Sequence, residues 1–377
     1  PAVRLDRPCL AAELTLEDLI ELVRQNELLY ENIDVTVRKQ YAQNPAIANK
    51  SGPVIGPDGI KSKAVRESET VIRYVRQGEL YRRDLSFQGH HVGDEAPQAS
   101  LEMGAFDGTT TRLRQDHIGN IVAGRHGHGG PVLAHGFFTL MGYDYVPLSV
   151  KLQGEQALRA YPEGQLFLSN DTEHLAEYRG VEEFQGFTCH VVWLPKVWSK
   201  GKPQAGEVIL RAVYWLAEER NFIPVRYQSY VFRESKTIPR TEGTVTEWTE
   251  IQPGVWFPKH VIIETLDGFR LARGERVPNW RCEWFTEAVS LAPQHDISFF
   301  RDIPFPDGTI VYEVEGGQIK KGYQVGAPAV PPPAPGVAAP KRLNLPPLVA
   351  ALLAVGIALA GVILWKRRHP QKARGDS

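Results

Sequence analysis

From Phe187 to Leu291 the sequence repeats one device: short runs in which apolar residues fall at every second position, broken by turn residues. "QGFTCHVVWLP", "EVILRAVYWLAEE", "IPVRYQSYVFRE", "GTVTEWTEIQ", "VWFPKHVIIETLDG" and "RCEWFTEAVSLAP" follow one another. A period of two marks a strand with one covered face, and short connections join antiparallel neighbours. The pattern predicts a large antiparallel meander, curled or nearly closed into a barrel. The first half carries the same signal. "IDVTVRKQYA" alternates, "ETVIRYVRQGELYRRDLSFQG" reads as two strands around Gln77-Gly78, and "LEMGAFDGTTTRLRQD" reads as a hairpin around Asp107-Gly108. A last hairpin is expected around Gly316-Gly317 in "IPFPDGTIVYEVEGGQIKKGYQVG". The 13 Tyr, 15 Phe and 8 Trp fit a β-rich chain.

One helix precedes the strands. Leu14 to Tyr30 has a capping-box start at Thr15 and Asp18, with Leu16, Leu19, Ile20, Val23 and Leu28 as its apolar face. The expected class is therefore mainly β, of α+β type: a curled antiparallel half-barrel sheet with an amino-terminal helix. Residues 124–170 read as an irregular Gly- and His-rich insert.

The end of the chain is of another kind. Residues 327–347 hold eight prolines in twenty-one positions, which bury no core and pair in no sheet. They predict an extended stalk. Leu348 to Trp365 is eighteen residues without a polar side chain, long enough at about 1.5 Å per residue to cross a bilayer core as a single transmembrane helix. Five bases follow in 366–377 and two precede the run, so the positive-inside rule puts the tail in the cytoplasm and the main domain outside. The organisation expected is an exported domain over 1–326, a stalk over 327–347, a span over 348–365 and a basic cytoplasmic tail over 366–377. That is a single-pass membrane protein, periplasmic if the cell is of Gram-negative type. Export needs an amino-terminal signal, for which a sequence that starts at Pro1 rather than Met leaves room.

Charge narrows the partners. Setting aside the seven bases and one acid of the last stretch leaves 36 bases and 43 acids in residues 1–326, a net of −7. An acidic domain does not hold a phosphate backbone, which excludes nucleic acid. The cysteines are Cys9, Cys189 and Cys282, with no C-x-x-C pair. Cys189 and Cys282 are either two buried thiols or one disulfide.

Within the strands one face is apolar: Phe187, Cys189, Val191 and Trp193; Val208, Leu210, Ala212, Tyr214 and Leu216; Ile223, Val225, Tyr227 and Val231; Val261 and Ile263. Such a face is covered by core or lines a ligand cavity. The residues expected to meet a ligand are Val191, Trp193, Leu210, Tyr214, Val225, Tyr227, Val261 and Ile263.

"LTLEDLIELVRQNELLYENIDVTVRKQY", "FDGTTTRLRQ", and "WLAEERNFIPVRYQSYVF" followed by "GVWFPKHVIIET" resemble the opening helix and first strand, the Asp-Gly-Thr hairpin and the strand–turn–Pro–strand segment of the LolA-like and RseB-like superfamily. These are lipoprotein carriers and sigma-factor regulators. The resemblance covers roughly residues 14–124 and 180–290. It implies a half-barrel with a helix lid that binds an acyl chain, a lipid or a lipidated partner, without catalysis and without a cofactor. A tethered chain does not shuttle, so sensing, presenting or scaffolding suits it better than carriage.

Two other readings stay open. A stalk, apolar span and basic tail also fit a structural surface protein. Six of the eleven histidines lie between 90 and 135, and His126 and His128 in "GRHGHGGP", with Asp94 or Glu95, suit zinc or copper in a metal-dependent hydrolase. No H-E-x-x-H and no G-x-S-x-G accompany them.

Overall fold

The computed structural model describes residues 14–48, 54–55, 61–62, 65–91, 96–124, 135, 146–160, 172–198, 204–316 and 318–327. All belong to one unit that runs to Ala327. The stalk, the apolar run Leu348–Trp365 and the basic tail lie outside the described residues. Among the described residues no helix is long and apolar enough to cross a membrane.

The first helix, α1 (Leu16–Glu27), starts as its sequence dictates. The Asp18 N–H donates to Thr15 Oγ1 at 3.2 Å, and the Thr15 N–H donates to Asp18 Oδ2 at 3.1 Å. Leu19 and Val23 are fully buried. The expected stripe then goes wrong by a residue. Leu28 is 54 % exposed, and the buried positions one and two turns on are Glu27 and Tyr30. Five residues separate Val23 from Leu28, which is off the i, i+4 line, and the chain tightens there into a 3-10 turn over Leu28–Tyr30.

The strands are β1 (Ile33–Gln43), β2 (Val54–Ile55), β3 (Lys61–Ser62), β4 (Val65–Gln77), β5 (Leu80–His91), β6 (Gln98–Phe106), β7 (Thr110–Gln115), β8 (Ile118–Ala123), β9 (Thr172–His174), β10 (Glu177–Phe184), β11 (Phe187–Trp198), β12 (Val208–Ala217), β13 (Ile223–Val231), β14 (Thr241–Gln252), β15 (Val255–Leu266), β16 (Pro278–Leu291), β17 (Ile310–Glu315) and β18 (Gln318–Gln324). Except for the small β2–β3 pair they form one curled, open sheet. Its order is β10-β11-β12-β13-β14-β15-β16-β1-β4-β5-β6-β7-β8-β17-β18, with β9 beside the end of β11. The two meanders meet at β1, where Ile33 pairs with Leu291 on one side and Arg76 on the other.

Two turns show why the hairpins sit where the sequence puts them. Gly78 takes a φ of +58° between β4 and β5. At the β6–β7 turn Asp107 Oδ1 accepts from the Thr109 N–H at 3.0 Å and the Thr110 N–H at 2.8 Å, while Arg112 reaches Oδ2 at 2.7 Å. These bonds favour the ionised carboxylate and hold its pKa far below the ordinary range against the cost of burial.

The sheet is not wholly antiparallel. β17 lies parallel to β8, with Ile310 opposite Ile118 and Val314 opposite Val122. Between β16 and β17 the chain leaves the meander, forms α6 (Ile297–Arg301) against β5 and β6, and only then joins the far edge. A connection that crosses the sheet delivers a strand in either direction, whereas a tight turn delivers only an antiparallel one.

The inner face holds the main core. Val35, Ile72, Tyr74, Tyr214, Phe257 and Ile263 are among its buried members, under Leu19 and Val23 of α1. Within the sequence-expected insert, α3 (Leu148–Leu152) and α4 (Glu155–Ala160) follow, and Leu148 and Leu152 join the same core. Two further short helices are α2 (Pro45–Ala48) and α5 (Gly268–Leu271). Glu27 ties the cover together. Its carboxyl accepts from the Leu148 N–H at 2.6 Å and from Ser149 Oγ at 2.5 Å, so α1 caps the otherwise uncapped start of α3. Burial pushes this carboxyl above its ordinary pKa, and the bonds to α3 oppose that rise.

Candidate ligand groove

The residues expected to share one ligand face are divided by the structure between two. Pairing decides this. Val192 stands opposite Tyr214, and Tyr214 opposite Tyr227, so these three look inward. Tyr214, Tyr227, Val261 and Ile263 are inner-core residues, exposed by 7 % or less. They are packed, not open to a ligand. Val191 stands opposite Trp215 and Trp193 opposite Val213, on the outer face. Val225 joins them, because the register shift after Trp215 pairs Trp215 with Arg226 and Leu216 with Pro224 and skips Val225.

The outer face is an aromatic–arginine stack. Trp193 lies between the guanidinium groups of Arg179 at 3.9 Å and Arg211 at 4.2 Å from its ring. Arg226 covers Trp215 at 4.8 Å, and the Trp215 indole N–H donates to Glu182 Oε2 at 2.8 Å. Val191 and Val225 are sealed beneath, at 2 % and 0 % exposed. Sequence reasoning missed this layer. Its signal was present, since Arg211 and Arg226 alternate with aromatics along β12 and β13.

Leu210 is placed differently from the other seven. Going along β11, β12 and β13, the inner face shows successive rows: Val192, Tyr214 and Tyr227; then Leu194, Ala212 and Ser229; then Lys196, Leu210 and Val231. The first two rows are buried, and the third is only half-buried. There the inner face runs out from under its cover into a groove of about 660 Å³. Trp198, Val208, Ile209, Leu210, Val231 and Phe232 give it an apolar wall. Lys196, Arg233 and Lys236 stand around it with one acid, Glu207. A smaller hollow of about 310 Å³ opens between the start of α1, the α3–α4 turn and β9, lined by Leu16, Leu152 and Leu175 among others.

The metal reading rested on His126 and His128, which lie outside the described residues with Asp94 and Glu95. His135, from the same cluster, is 1 % exposed. Its Nε2 is 2.8 Å from the Asn221 carbonyl oxygen and its ring meets Tyr30 edge-on, while burial lowers its pKa to about 4. It is a neutral core imidazole that donates to a backbone carbonyl. Among the described residues no group of three His, Cys, Asp or Glu side chains is arranged to hold a metal ion. Cys189 and Cys282 are free and buried, one in the outer cluster and one in the inner, so the sheet itself separates them. Burial raises both thiols, to about 12 and about 11.

No family model matches the sequence, and no curated protein matches it. Among solved structures the chain is similar to a DUF1329 family protein from Desulfovibrio piger, at 10 % identity and a TM-score of 0.39 over 77 % of this chain and 98 % of that one. It is also similar to an outer membrane lipoprotein-sorting protein domain from Vibrio parahaemolyticus, at 10 % identity and a TM-score of 0.38 over 76 % of this chain and 98 % of that one. The Mycobacterium tuberculosis lipoprotein LppX matches at 8 % identity and a TM-score of 0.23, over 74 % of this chain and 98 % of that one.

Proposed function

We propose that the chain is an envelope protein whose half-barrel holds an acyl chain, a lipid or a lipidated partner along the groove at the open end of its inner sheet face. The observation that carries this is the third row, where Lys196, Leu210 and Val231 continue the core face beyond its cover. The groove falls within the roughly 300–1,000 Å³ typical of ligand sites. An apolar wall is sufficient for such a ligand, because each methylene taken from water contributes about 0.8 kcal/mol. No catalytic group is part of this reading.

The same proposal includes the anchor. Residues 348–365 span a bilayer, 327–347 form the stalk, 366–377 remain in the cytoplasm, and the domain over 1–326 faces outward. A groove on a tethered domain suits a sensor or a presenting scaffold.

Photolabelling tests the groove. Full-length protein treated with a fatty acid that carries a diazirine in its chain is expected to be labelled in the peptides that contain Leu210 and Phe232. Leu210→Asn puts an uncharged amide on the apolar wall and is expected to lower that labelling about tenfold, since covering an amide with an acyl chain without a hydrogen-bond partner costs about 1–3 kcal/mol. Leu210 is half-buried, so the variant is expected to fold. Equal labelling of both proteins at these peptides would overturn the proposal.

A further inference from the structure

We infer that the occupant of the groove is an anionic phospholipid, with its phosphate held by Lys196, Arg233 and Lys236 and its acyl chain laid along Leu210, Val231 and Phe232. This rests on the proposed acyl site and adds the chemistry of the head group.

The argument is one of charge in an unexpected place. Residues 1–326 carry a net −7, and among the described residues most arginines pair with an acid within 4.0 Å. Arg73 pairs with Asp34 at 2.7 Å, Arg112 with Asp107 at 2.7 Å, Arg240 with Glu234 at 2.5 Å and Arg281 with Glu264 at 3.0 Å. The groove departs from that rule. Among the described residues neither Lys196 nor Lys236 has an ion-pair partner within 4.0 Å. Arg233 is 86 % exposed and reaches only its neighbour Glu234, at 4.0 Å, and Glu234 is already held by Arg240. Three bases thus face one acid, Glu207, across a single groove.

Lys196 is the most telling of the three. It stands on the inner face of β11 directly opposite Leu210, in line with Leu194 and Val192. A lysine there lays its methylene stem along the apolar wall and delivers its ammonium to the mouth. The groove therefore offers an apolar floor for a chain and a cationic end for its head, which is the polarity of an anionic amphiphile. Trp198, half-buried beside them, supplies an indole at the boundary between the two. A zwitterionic choline head would set its own ammonium against these bases.

The test is native mass spectrometry of the full chain released from a neutral detergent, offered equal amounts of phosphatidylglycerol and phosphatidylcholine. A preference for phosphatidylglycerol of about tenfold is expected, equivalent to about 1.4 kcal/mol. The basic tail attracts the same lipid, so the comparison is with the triple variant Lys196→Gln, Arg233→Gln, Lys236→Gln, which keeps the tail. All three side chains are outside the core, and the preference is expected to fall severalfold in the variant. An unchanged preference overturns the head-group assignment. If Leu210→Asn still lowers chain labelling in that case, the acyl site stands without it. A charge-dependent preference that appears for oleate against its alcohol, but not for phosphatidylglycerol, overturns the phospholipid in favour of a fatty acid. Absence of any adduct together with absence of photolabelling overturns both readings.

Discussion

Tyr30→Ala is expected to lower the unfolding free energy by about 3–5 kcal/mol, the usual cost of deleting a fully buried aromatic ring. Tyr30 ends the tight turn after α1 and is 1 % exposed. Its ring lies 6.1 Å from that of Phe257 and 5.8 Å from that of His135. Its hydroxyl donates to the Trp256 carbonyl and lies 3.3 Å from Asn221 Oδ1. The residue therefore fastens the lid to the middle of the second meander, and its loss opens a cavity at that joint. Tyr30→Phe keeps the ring and removes only the hydroxyl, leaving the Trp256 carbonyl without its donor. Its expected cost is about 1–2 kcal/mol. Urea unfolding followed by tryptophan fluorescence measures both. A Tyr30→Ala cost below 1 kcal/mol is incompatible with this packing.

Acid is expected to weaken the fold through His135. Burial holds its folded pKa at about 4, against an ordinary value of 6.5. Between those values the unfolded chain carries a proton on this ring that the folded chain does not. Stability from this group is therefore complete above pH 6.5 and is lost as the pH falls from 6.5 to 4, by about 3 kcal/mol in all. Glu27 acts with the opposite sign. Its folded pKa is raised, so its contribution is complete below the unfolded value near 4.5 and shrinks as the pH rises through the folded one. The whole-protein profile mixes the two. The difference between wild type and His135→Gln isolates the imidazole, because the glutamine amide can also donate to Asn221 but does not titrate. That difference is expected to favour wild type by about 3 kcal/mol more at pH 7 than at pH 4. A difference that does not change with pH would show that His135 is not enclosed.

Much of the architecture follows from local sequence rules. The period-two runs become strands because alternate side chains of a strand face opposite ways, and the Asp107-Gly108 turn forms because a carboxylate at that position satisfies the next two backbone donors. The capping box at Thr15 and Asp18 starts α1 where it was read. The candidate site was less legible. β11 is apolar in both phases, with Cys189, Val191 and Trp193 in one and Val192 and Leu194 in the other, so alternation alone gave no inside. A shift of one residue exchanges every side chain between faces. The first phase carries the expected ligand residues Val191 and Trp193, and pairing with β12 puts it on the outer face.

The sequence by itself determined the class of structure: a long meander, a leading amphipathic helix, and a carboxy-terminal segment of different composition. Each of these is set by the spacing of residues along the chain, over a few residues to a few turns. Tertiary structure alone decided which apolar residues are core and which line a groove. Val191, Tyr214 and Leu210 are equally apolar in the sequence. They end up under arginines, inside the core and at an open rim because strand register, the skipped residue Val225 and the reach of the covering helices differ from one row to the next. Burial is a property of what packs above a residue, and what packs above comes from distant parts of the chain.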